Sequence, residues 1–169
     1  LGYLDNLLAI FPDAHVIHMH RNPLETIPSG ASLNTTLWHM HTDEVDPARV
    51  GAQWIARMAF TNGRAMQTRN RLEDSSNRFT DVWFRDAVSD PLSQVERIYD
   101  DVGIELSDEA RAAMARWLAQ DAQTTRAPHR YAPEDFGLSA GQIREQFADY
   151  TARFVVPYED RAATQPAAR

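Results

Sequence analysis

The run "AHVIHMH" at residues 14–20 passes through Arg21 and Asn22 straight into a proline, Pro23. That junction constrains the fold more than any other stretch. The run is short, partly β-branched and preceded by the turn "FPDA", so it reads as a buried strand. Asn22 can cap a following helix. Pro23 suits the first helical position, and Glu25 stands where a capping box needs its acid. A strand that hands its chain directly to a helix belongs to an alternating strand–helix plan. Such a plan implies a parallel sheet with helices on its faces.

The rest of the chain repeats these signals. Leu4, Leu7, Leu8 and Phe11 recur at helical spacing before the first strand. A long helix begins at Asp46-Pro47 and carries Val50, Trp54 and Met58 on one stripe. "FTDVWF", Phe79 to Phe84, is the second strand. Asp90-Pro91 opens a helix that stops at Gly103, with Leu92, Val95, Tyr99 and Val102 on one face. Ser107 opens another, to about Ala119. Ser139 and Gln142 form a capping box for a last helix, with Ile143, Phe147, Tyr150 and Phe154 inward. Residues 1–160 read as the C-terminal part of a single domain, and the tail from Arg161 to Arg169 has nothing to bury and is expected to be loose. Two strands cannot make such a sheet alone. The others are expected from an N-terminal part preceding Leu1, because the chain opens already in a helical pattern and without methionine.

Composition narrows function. The 169 residues carry a formal charge of -7, which argues against a nucleic-acid binder that must neutralise phosphates. All 17 basic residues are arginine, and there is no cysteine for a disulfide framework or thiolate chemistry. Apolar runs are too short to span a bilayer.

Arg21 holds the informative position. In open parallel sheets, ligands sit beyond the carboxyl ends of strands. Arg21 lies at such an end, next to a helix N-terminus whose unpaired N–H groups and dipole favour an anion. A guanidinium adds a planar donor pair suited to phosphate. Ser29, about two turns along the same helix, can add a hydroxyl, and Pro28 should kink the helix there. Spacing leaves a second reading open, in which Arg21 pairs with a carboxylate and Ser29–Gly30 eases helix packing.

"FPDAHVIHMHRNPLETIPSGASL" resembles the 3′-phosphate-binding segment of sulfotransferases that use 3′-phosphoadenosine-5′-phosphosulfate (PAPS), in particular their bacterial branch. "VWFRDAVSDPLSQVERIYDDVGIELSDEA" (82–110) and "HRYAPEDFGLSAGQIREQFADY" (129–150) are similar to later segments of that family, in the same order. The resemblance implies a P-loop-like three-layer α/β/α fold with a parallel sheet and a helix-rich C-terminal part. It implies PAPS as co-substrate, 3′-phosphoadenosine-5′-phosphate as product, and a 3′-phosphate gripped by Arg21 and Ser29. The acceptor would be a hydroxyl or amine on a small molecule, carbohydrate or lipid, with no nucleic-acid partner and a cytoplasmic location. The family's 5′-phosphosulfate loop and catalytic base are not in the chain, and both are expected upstream of Leu1. "TRAPHRY", with Arg126, His129 and Arg130, sits near the place of a basic loop but receives no role. Two rivals remain: a P-loop kinase of nucleotides or small molecules, and a non-catalytic partner-binding domain.

Other groups of the chain could carry chemistry. His18 and His20 face one side of the strand, and His39 and His41 form a second His-x-His. No carboxylate or cysteine joins them at ligand spacing, so no metal is expected. His20 reads instead as a pocket or core histidine. "NTTLWHMHTDEVD" (34–46) reads as ordinary packing between two helices, with an acceptor-facing loop as the alternative. Arg69 and Arg71 suit a helix C-terminus, and Arg85–Asp86 a structural ion pair.

Overall fold

Strand β1 (Val16–His20) pairs in parallel with β2 (Phe79–Trp83), setting His18 opposite Asp81 and His20 opposite Trp83. A crossover joins them, as the strand–helix alternation requires. The structure, a computed structural model, describes residues 1–72, 78–121 and 131–164, and among these the sheet has two strands. Both strands are shorter than expected. Val16, not Ala14, opens β1, and Phe84 already belongs to a helix.

Along the chain, α1 (Leu4–Ile10) precedes β1, and α2 (Pro23–His39) and α3 (Pro47–Leu72) follow it. After β2 come α4 (Phe84–Ser89), α5 (Pro91–Val102) and α6 (Asp108–Asp121). A 3₁₀ turn (Pro133–Phe136) leads to α7 (Ala140–Gln146), α8 (Ala148–Tyr150), a π turn (Thr151–Val155) and α9 (Val156–Thr164). The described residues fall into two compact units: residues 1–12, 21–72 and 131–164, and residues 13–20 and 78–121.

In the first unit, Ile27 and Ala31 of α2, Ile55 of α3, and Phe136, Leu138, Ile143 and Phe147 form one buried cluster. Trp54 and Met58 pack on its edge, so the stripe expected on α3 does face a core. The helices meet closely at Gly30. A Cβ there would lie 2.3 Å from Trp54 Nε1, so only glycine lets α2 lie against the indole. Helix α2 runs unbroken through the buried Pro28.

The expected last helix is broken into pieces. Ser139 caps it as foreseen, its hydroxyl accepting from Gln142 N at 3.1 Å, and Ile143, Phe147, Tyr150 and Phe154 are all buried. The π turn falls just before Pro157. A proline there offers no N–H to the carbonyl one turn back, and a widened turn is a way to absorb that loss. The loose tail was expected from Arg161, but α9 carries Arg161 to Thr164 in helix. Ala162 and Ala163 are strong helix formers, and nothing breaks the pattern before Pro166. Residues 165–169 lie outside the described residues.

In the second unit, Asp90 caps α5 by accepting from Ser93 N at 3.2 Å, and Gly103 ends it with φ of 74°. Ser107 caps α6 through Ala110 N at 3.2 Å. Polar links tie α5 to β2. The Thr80 hydroxyl donates to Asp101 Oδ2 at 2.9 Å, so it accepts from His15 Nε2 at 2.8 Å. Arg97 donates to the Asp81 carbonyl at 2.8 Å.

Candidate functional site

The N-terminus of α2 is built as the sequence suggests, with one change. Asn22 caps the helix, its Oδ1 accepting from Leu24 N at 3.0 Å, and Pro23 takes the first position. The Asn22 amide also donates to Glu159 of α9 at 3.4 Å. Glu25 does not complete a capping box with its carboxylate. Its Oε2 instead accepts from Arg21 Nε at 2.8 Å, because a full charge one turn away outcompetes a neutral backbone N–H. The carboxylate partner left open for Arg21 by its spacing is therefore present.

Arg21 is about one-third exposed, and Ser29 is half-buried farther along α2. Ser29 lies seven positions beyond the Asn22 cap, about two turns, so both positions return to one side of the helix. What this end of α2 offers is the Arg21 guanidinium, the positive end of the helix dipole and the Ser29 hydroxyl farther along; its first-turn N–H groups are already taken, Leu24 N by Asn22 Oδ1 and Glu25 N by the Asn22 carbonyl.

A second group was missed by sequence reasoning. His18 and His20 are 7% and 0% exposed, while the apolar Ile17 and Met19 between them are about half exposed. The polar face of β1 is thus the buried one. Asp81 arrives on that face from β2, and its Oδ1 accepts from His20 Nε2 at 2.8 Å. The rings of His18 and His20 lie 4.2 Å apart, and His20 packs on Trp83 at 5.5 Å. The sequence held no carboxylate near the histidines. Asp81 lies 61 positions beyond His20, and only the strand register brings it in.

Other candidates find structural uses. His39 and His41 are exposed at the C-terminal end of α2. Arg69 is 8% exposed and sits over the Phe154 ring at 4.9 Å. Arg71 donates to Thr68 and lies 3.9 Å from Asp5. Arg85 and Asp86 open α4. Half of the 34–46 stretch is helical, and its Trp38 lines a cavity with Asn34, Gln53, Trp54 and Arg57. Arg126, His129 and Arg130 lie outside the described residues.

A profile for the Sulfotransferase family matches residues 1–108, well over half of the chain. The chain belongs to this family. Two curated relatives are the omega-hydroxy-beta-dihydromenaquinone-9 sulfotransferases Stf3 of Mycobacterium tuberculosis and Mycobacterium bovis, each 27% identical over 104 residues, or 58% of this chain and 25% of the relative. The crystal structure of sulfotransferase STF9 from Mycobacterium avium superposes with a TM-score of 0.81 at 27% identity, covering 91% of this chain and 39% of that one. Sulfotransferase STF1 from Mycobacterium tuberculosis H37Rv gives 0.67 at 34% identity, covering 86% and 36%.

The chain therefore spans about a quarter of the length of its curated sulfotransferase relatives. The expected bacterial-type sulfotransferase and its P-loop-like α/β fold, helix-rich with a small parallel sheet, are borne out. Among the described residues, no helix is long and apolar enough to cross a membrane.

Proposed function

We propose that this chain supplies the 3′-phosphate-binding part of a sulfotransferase that moves a sulfuryl group from PAPS to a hydroxyl or amine acceptor. One observation carries the reading: Arg21 stands between the carboxyl end of β1 and an Asn22-capped, Pro23-started helix that also bears Ser29. Family membership favours it over a kinase, which would leave that pair without a 3′-phosphate to hold.

Arg21 and Ser29 act as cofactor-holding groups and not as catalysts. The 3′-phosphate is remote from the reacting sulfur, and binding energy gained there orients the distant anhydride. Glu25 fixes the guanidinium from one side through Nε. The charge of Arg21 and the dipole of α2 both favour the phosphate. The reading assigns to no residue of this chain the deprotonation of the acceptor or the stabilisation of the 5′-phosphosulfate. The acceptor class is a small molecule, carbohydrate or lipid. The named activity of the Stf3 relatives, on a hydroxylated menaquinone, lies within that range.

The test is calorimetric binding of 3′-phosphoadenosine-5′-phosphate against adenosine 5′-phosphate to the folded chain, with Arg21→Ala alongside. A clear preference for the 3′-phosphorylated nucleotide that disappears in the variant supports the reading. Equal binding of both nucleotides, or a preference that survives in the variant, overturns it.

A further inference from the structure

We propose that His18, His20 and Asp81 form a binding site for one divalent transition-metal ion of the zinc class. The argument begins with strand geometry. Residues two apart on a strand share a face, so His18 and His20 project together from β1. Adjacent strands lie about 4.8 Å apart. The parallel register puts Asp81 directly across from His18, on the same face. Two neighbouring strands thus present three donors to one point.

The distances suit an ion. One ligand-capable atom from each of the three side chains lies within 4.8 Å of the other two. Ligands held at about 2.0–2.2 Å around a tetrahedral ion stand roughly 3.4 Å apart. His20 Nε2 and Asp81 Oδ1, at 2.8 Å, are slightly closer than this and need only part a little. The remaining separations, at most 4.8 Å, must close toward that spacing by side-chain rotation.

The donor set selects the ion. Calcium and magnesium prefer all-oxygen shells. Two imidazoles with one carboxylate suit zinc, cobalt or nickel. Burial adds to the case. The two histidines are 7% and 0% exposed, so an ion held between them would be largely shielded from water. The Asp81 side chain is 27% exposed, which leaves a route for entry and a place for a fourth, exchangeable ligand. Arg97 holds the Asp81 carbonyl, and Trp83 packs on the His20 ring, so the donors are supported from behind. Among the described residues this is the only group of three or more such side chains able to share an ion. The exposed His39 and His41 have no third partner of that kind there.

The competing account is a hydrogen-bonded cluster that never binds metal. Titration of the folded 169-residue chain with Co²⁺, read by visible absorption, and equilibrium dialysis with Zn²⁺ separate the two. One ion per chain is expected, with an intense four-coordinate cobalt band and a zinc-dependent rise in melting temperature. His18→Ala and Asp81→Asn should each weaken binding at least about tenfold, the loss associated with even an outer-shell partner. The His39→Ala/His41→Ala double variant should bind as the parent does. Far-UV circular dichroism checks each fold. Should His18→Ala fail to fold, Asp81→Asn, which nearly preserves shape, decides alone. Absence of one-to-one binding, binding indifferent to Asp81→Asn, or binding lost in the His39/His41 variant would overturn the proposal. Nucleotide binding through Arg21 is a separate readout, so either reading can fail without the other.

Discussion

Arg21 Nε donates to Glu25 Oε2 at 2.8 Å, one turn into α2. Both side chains are a third or more exposed, and an ion pair of that kind contributes about 0–1 kcal/mol to stability. A pair that adds so little to folding is better understood as orientation. The carboxylate holds the guanidinium at Nε and so helps to set the plane in which it lies.

This separates binding from folding in the Arg21→Ala variant. Affinity for 3′-phosphoadenosine-5′-phosphate should fall by roughly 1.5–3 kcal/mol, the contribution of a charged hydrogen bond. Stability in urea should change by less than about 1 kcal/mol. The reverse pattern, in calorimetry and denaturation run side by side, would make Arg21 a structural residue only.

Ser29 and Gly30 are adjacent and should behave oppositely. Gly30→Ala gains about 1 kcal/mol of helix propensity but drives a Cβ to 2.3 Å from the Trp54 indole. Overpacking of this kind costs roughly 1–3 kcal/mol, and an overlap this severe should sit at the upper end and win. Ser29→Ala should leave the urea midpoint nearly unchanged and weaken binding of the 3′-phosphorylated nucleotide. A more stable Gly30→Ala protein would show that the indole yields easily.

Local signals made much of this legible. The caps at Asn22, Asp46, Asp90, Ser107 and Ser139 each hold a backbone N–H two or three residues on, as their sequences promise. Periodicity placed Ile143, Phe147, Tyr150 and Phe154 inward correctly. What escaped depended on partners distant in sequence or on competition. Glu25 was assigned to a backbone N–H because a local rule cannot see that Arg21 attracts it more strongly. Asp81 was invisible beside His18 and His20 because strand register is a property of two segments at once. The break at Phe147 was missed because the hydrophobic spacing continues through it unchanged.

Asp5 should shape the acid limb of the stability curve. Partial burial pushes its carboxyl up, but the Asn6 backbone N–H, the Arg64 charge and an Arg64 hydrogen bond at 3.1 Å together hold it below the ordinary value of 3.8. A group with a lowered value in the folded state stabilises that state above its unfolded value. As pH falls through 3.8 the unfolded chain takes the proton first, and the contribution is gone once the folded value is passed. Asp5→Asn should therefore flatten the loss of melting temperature over that range and leave the neutral-pH slope unchanged. An identical acid limb in parent and variant would show that other carboxylates govern it.

Burial and not size should rank the core. Ile143 is fully buried in the cluster shared by α2, α3 and the segment that follows the 3₁₀ turn. Trp117, a much larger side chain on α6, is 62% exposed. Ile143→Ala removes packed methylenes and leaves a cavity, which should cost about 2–5 kcal/mol. Trp117→Ala removes mostly solvated surface and should cost within roughly 0.5 kcal/mol. Urea unfolding of the two variants gives the comparison directly. A Trp117→Ala loss equal to that of Ile143→Ala would mean that the outer face of α6 is covered in solution, and its apolar surface would then have to be counted as interior.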